Sequence, residues 1–80
     1  MREKILKVMR EVAANGGIDL IENVSDETVL LESGLDSFGF AVLVVTLEDV
    51  LGYDPFSLMD KPYYPRTFGE FVEVYKRFAP

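Results

Sequence analysis

Between Arg2 and Ala14 the apolar residues Ile5, Val8, Met9 and Val12 recur at three- and four-residue steps, with Arg2, Glu3, Lys7, Arg10 and Glu11 between them. That period lays one apolar stripe along an amphipathic helix. Asn15-Gly16-Gly17 closes it, since asparagine and glycine accept the left-handed backbone on which many helices end. From Ile18 to Asp36 no single period holds, yet Ile18, Leu20, Ile21, Val24, Val29, Leu30, Leu31 and Leu35 are all apolar. This reads as a long connection packed across the helices. Ser25-Asp26-Glu27-Thr28 makes a turn or one short helical turn within it, and Ser33-Gly34 a second bend.

A second helix starts at Asp36 or Ser37 and runs to about Leu51, with Gly52 as terminator. Its inner face is Phe40, Leu43, Val44, Leu47, Val50 and Leu51, and a further stripe of Phe38, Val42, Val45 and Asp49 lies along one side. A helix apolar nearly all round is either buried on every side or offers a surface to a partner, and so small a domain has little with which to surround it. The stripe is therefore expected to be a partner surface. Tyr53-Asp54-Pro55-Phe56 is a turn, Ser57 to Asp60 a single helical turn, and Pro62 and Pro65 keep the next stretch irregular. The last helix is well marked. Thr67 and Glu70 have capping-box spacing, Phe68, Phe71, Val72 and Tyr75 follow at helical steps, and Lys76 and Arg77 favour its end near Phe78.

The expected fold is all-α, a single domain over 1–80: a small bundle of three principal helices plus a short fourth, with a long apolar loop between the first two. A content of 49% hydrophobic residues over 80 positions suits one core.

Composition narrows the chemistry. The chain has no cysteine and no histidine, which removes thiol nucleophiles, thiolate and imidazole metal ligands, and Ser-His or Cys-His pairs. A domain this small encloses no deep pocket, so binding or carrying is expected rather than catalysis, with no metal site. The net charge of −6 disfavours nucleic acid and anionic lipid and steers toward basic protein surfaces. The apolar run Phe38 to Leu47 is too short to span a bilayer and is followed directly by Glu48 and Asp49. Met1-Arg2-Glu3-Lys4 lacks the form of a secretory signal, so a cytoplasmic location and a monomer acting away from membranes are the expectation.

The stretch Gly34-Leu35-Asp36-Ser37-Phe38, followed by an apolar helix bearing Leu47-Glu48-Asp49, resembles the attachment site of acyl and peptidyl carrier proteins. The likeness of arrangement extends over nearly the whole chain. It implies that a phosphopantetheinyl transferase moves 4'-phosphopantetheine from coenzyme A onto Ser37, and that cargo then rides as a thioester. Partners implied are that transferase and an acyl or aminoacyl ligase, synthase or transferase with a basic and apolar docking surface. Independently of the resemblance, a serine at a helix N-terminus holds its hydroxyl outside the helical ladder, where unpaired N–H groups and the dipole favour an added anion. Asp36 has two readings, a helix N-cap and, by resemblance, a contact for the transferase.

Two departures from the family pattern matter. Phe38 stands where leucine is usual, and Phe40, Val42 and Val45 occupy a region where fatty-acid carriers place acids, which return only at Glu48 and Asp49. Recognition through Phe38, Val42, Val45, Glu48 and Asp49 should then lean on apolar contact, pointing to a specialised fatty-acid, polyketide or related pathway. Tyr53, Tyr63 and Tyr64 either line a place where cargo folds back or pack an ordinary loop. Two alternatives stand: an aminoacyl or peptidyl carrier, and a small helical interaction module in which Ser37 only caps a helix.

Overall fold

The computed structural model describes residues 1–80 and contains three α-helices: α1 (Arg2–Asn15), α2 (Ser37–Leu51) and α3 (Phe68–Arg77). Two 3₁₀ turns, Leu30–Glu32 and Pro55–Leu58, interrupt the connections. No helix is long and apolar enough to cross a membrane.

Each helix contributes the stripe its sequence period demands. Ile5, Val8, Met9 and Val12 of α1, Leu43 and Leu47 of α2, and Phe68, Phe71, Val72 and Tyr75 of α3 form one buried cluster. Burying a large aliphatic or aromatic side chain is worth about 1.5–3 kcal/mol, so these contacts hold the bundle together. The stripe of α2 is narrower than its composition suggests. Val50, expected inside, is 45% exposed, because it lies about 60° off the Leu47 direction on the last turn.

The long connection packs in part only. Val24, Leu30 and Leu35 join the core, whereas Ile21 and Leu31 point outward. Its path is fixed by polar ties that the apolar pattern did not reveal. Arg2 donates to the Asp26 carboxylate at 2.9 Å and to the Val24 carbonyl, and Arg10 donates to the Glu22 carbonyl, holding the loop against α1. At its other side Leu30 N–H donates to the Arg66 carbonyl, and Phe68 and Gly69 N–H donate to the Thr28 and Asp26 carbonyls. An isolated antiparallel bridge pairs Val29 with Thr67 within this seam. The loop is thereby stitched to the start of α3.

The α1 end falls at Asn15 as expected, and three local details differ. At the end of α1 only Gly17 is left-handed (φ 68°), while Gly16 has φ −91° and continues a tightening turn. The short turn begins at Pro55 rather than Ser57, since the Asp54 carboxylate accepts from Phe56 N–H at 2.9 Å and proline suits a first helical position. The Leu30–Glu32 turn, read as loop, is held by Ser33, whose buried hydroxyl donates to the Leu30 carbonyl. The α3 capping box forms as expected, with Glu70 N–H donating to Thr67 Oγ1 and Thr67 N–H to Glu70 Oε1.

Candidate functional site

The approach to α2 is shaped by Gly34, which has φ +116° and lies against the loop. A Cβ built there would stand 2.5 Å from the Asp19 carbonyl oxygen, so no other residue fits without moving backbone. Leu35, 1% exposed, then anchors the chain in the core, and Asp36 follows in extended geometry as N-cap. Its Oδ1 accepts from Gly39 N–H at 2.7 Å, and its carbonyl accepts the first helical bond, from Phe40 N–H.

This settles the choice left open between Asp36 and Ser37. The capping carboxylate belongs to Asp36, and Ser37 is the first helical residue, exposed and making no side-chain hydrogen bond. Reading Ser37 as the cap is therefore corrected, for the Gly39 N–H that a cap serves is already taken. The N–H groups of Ser37 and Phe38 precede the first intrahelical donor and point out of the helix end, adding partial positive charge beside the hydroxyl.

Ser37 borders a small cavity of about 270 Å³ lined also by Leu30, Leu31, Phe40, Tyr64 and Pro65. Phe40 and Tyr64 are shared with a neighbouring groove of about 550 Å³ on the same side of α2, which Val44, Val45, Met59 and Tyr63 also line. The two hollows thus form an apolar path leading away from the serine. Its wall is anchored in the core, with the Phe40 and Phe56 rings 5.4 and 6.1 Å from the Phe71 ring.

The three tyrosines separate. Tyr63 and Tyr64 line this path, and Tyr64 is 83% exposed. Tyr53 lines neither hollow. Its hydroxyl donates to the Tyr75 carbonyl at 2.6 Å and its ring meets Tyr75 edge-on, so it joins the start of the α2–α3 connection to α3, and burial raises its pKa.

The expected partner stripe also divides. Phe38 is 77% exposed and Val45 60% exposed, but Val42 is half-buried and packs against the core. Val45 borders the path from Ser37, while Phe38 and Val42 border a separate groove between α1 and α2. Glu48 and Asp49 are exposed, about 17 Å further along the helix from Ser37. Comparison with known proteins finds no matching family model, no matching curated protein and no matching solved structure, so the geometry above carries the functional reading.

Proposed function

We propose that the chain is an acyl carrier that bears 4'-phosphopantetheine on Ser37 and serves a specialised fatty-acid, polyketide or related pathway. The observation that carries this reading is the division of labour at α2: Asp36 makes the cap bond, leaving the Ser37 hydroxyl exposed and unengaged at the mouth of an apolar path. A side chain placed so serves as the substrate of another enzyme.

In the proposed step the Ser37 oxygen bonds to the β-phosphorus of coenzyme A, the pyrophosphate bond breaks, adenosine 3',5'-bisphosphate leaves, and the hydroxyl proton passes to a base of the transferase. The free N–H groups of Ser37 and Phe38 would favour the anionic phosphodiester by about 0.3–1 kcal/mol. The group supplies the thiol that this cysteine-free chain lacks, and with it the thioester. Phe40 and Tyr64 border the hollow that would shelter an apolar cargo.

Incubation with coenzyme A and a broad-specificity phosphopantetheinyl transferase tests the reading. One phosphopantetheine should be added to the wild-type chain and none to Ser37→Ala. A helical interaction module is the second reading, favoured by the exposure of Phe38 and Val45. An unmodified wild-type chain beside a control carrier that is modified would select it.

A further inference from the structure

A hollow of about 570 Å³ lies between residues 58–63 and the end of α3, with no residue of α2 in its lining. Leu58, 56% exposed, Tyr63 and Phe78 give it an apolar surface. Its charged lining is Lys61, Arg77 and Asp60, two cations against one acid, in a chain where fourteen acids face eight bases. The local charge is therefore opposite to that of the molecule.

Neither cation is engaged. The one ion pair joins Arg2 to Asp26, so Lys61 and Arg77 have no carboxylate within 4 Å, Asp60 and Glu73 included. Arg2 and Arg10 direct their donors to the long connection, whereas Lys61 and Arg77 donate no hydrogen bond within the chain. The Arg77 guanidinium lies 5.9 Å from the Phe78 ring centroid, a contact that holds it beside the apolar surface. There its planar fork can take a carboxylate in two parallel bonds. Residues 59–65 make no backbone hydrogen bond, so this wall of the hollow can adjust to a bound side chain.

We propose that this hollow docks an acidic amphipathic segment of a partner protein, with an apolar side chain against Leu58, Tyr63 and Phe78 and carboxylates on Lys61 and Arg77. Such a partner is opposite in charge to the basic surfaces that the net charge of −6 attracts, and it approaches from α3 rather than α2. A second copy of the chain is disfavoured as occupant, because two molecules of charge −6 repel as wholes. The inference does not rest on modification of Ser37.

The test uses the unmodified full chain, ¹⁵N-labelled, and a synthetic helical peptide of about 14 residues with leucines at three- and four-residue steps and glutamate and alanine elsewhere. The glutamate peptide should shift the amides of Leu58, Arg77 and Phe78 most, and a lysine counterpart should leave these three unmoved. Lys61→Glu, Arg77→Gln and Leu58→Ser, all at exposed positions, should each weaken binding about threefold. Lys4→Glu changes the net charge as much as Lys61→Glu does. It lies near Arg2, which packs on Phe68 at the other end of α3, and should leave binding within about 1.5-fold of wild type. No binding, equal weakening by Lys4→Glu and Lys61→Glu, or shifts centred on Phe40 and Val44 would overturn the proposal. So would the same shifts on concentrating the protein alone, which would assign the hollow to self-association.

Discussion

The Asp36 carboxylate accepts a hydrogen bond from Gly39 N–H at 2.7 Å, and this bond frees the adjacent Ser37 from any structural duty in starting α2. The two residues should separate in mutagenesis. Asp36→Ala should lower stability by about 1 kcal/mol in urea unfolding, and Asp36→Asn, which can still accept, should recover most of the loss. Ser37→Ala should stay within about 0.5 kcal/mol of wild type. A larger loss at Ser37 than at Asp36 would show that the cap is misassigned.

Gly34 and Gly17 both have positive φ, but only Gly34 faces backbone, with the Asp19 oxygen 2.5 Å from a would-be Cβ and nothing within 4 Å at Gly17. Gly17→Ala should therefore cost about 1 kcal/mol for the left-handed conformation alone. Gly34→Ala should cost about 2 kcal/mol or more, since the turn before Leu35 must also open. Equal losses in chemical denaturation would contradict the close approach.

The Tyr75 hydroxyl is buried without a hydrogen-bond partner, and its pKa is raised far above the ordinary value of 10.0, first by burial and then by Asp54, Tyr53 and Glu48. The unfolded chain ionises this phenol near its ordinary value and the folded chain does not. The contribution to stability is thus fully present below pH about 10 and lost as pH rises toward the folded value. Tyr75→Phe should flatten that alkaline decline. It should also raise Tm at neutral pH by a few degrees, by removing an unsatisfied buried hydroxyl worth about 1 kcal/mol. A lower Tm for Tyr75→Phe would mean that the hydroxyl is satisfied after all. Tyr53→Phe should do the opposite at neutral pH, losing its bond to the Tyr75 carbonyl at a cost of about 1 kcal/mol.

Within the α2 stripe, Val42→Glu should unfold part of the bundle and lower stability by about 2 kcal/mol or more, because it puts a carboxylate against the core. Phe38→Ser and Val45→Ser should change stability by no more than about 0.5 kcal/mol. Circular dichroism on urea titration separates the two outcomes. Equal tolerance at Val42 and Val45 would contradict the division of the stripe.

That stripe also shows how far the sequence could be read. Period predicts α1, α2 and α3 because each buries a stripe at helical spacing, and local chemistry marks some of their ends, as Thr67 with Glu70 does at the start of α3 and Gly52 at the end of α2. Period could not separate Val42 from Val45, which differ by about 60° around α2, since the neighbour on each side is set by tertiary packing. The loop was legible as apolar but not as fixed. Its ties from Arg2, Arg10 and Thr28 join residues remote in sequence to backbone atoms, and side-chain type does not specify such partners. Ser37 is legible in the sequence as a candidate, while its freedom from capping depends on the rotamer of Asp36. The Asp54-Pro55 start of the short turn was a local signal that the expected Ser57 boundary passed over.

The proposed carrier function stands or falls on attachment at Ser37. The most direct measurement is tandem mass spectrometry of the protein co-expressed with a broad-specificity phosphopantetheinyl transferase, alongside a control carrier that confirms the transferase is active. One phosphopantetheine per chain is expected, with fragment ions placing it on Ser37 and no adduct on Ser37→Ala. An unmodified chain beside a fully modified control, or an adduct on Ser33 or Ser57, would contradict it.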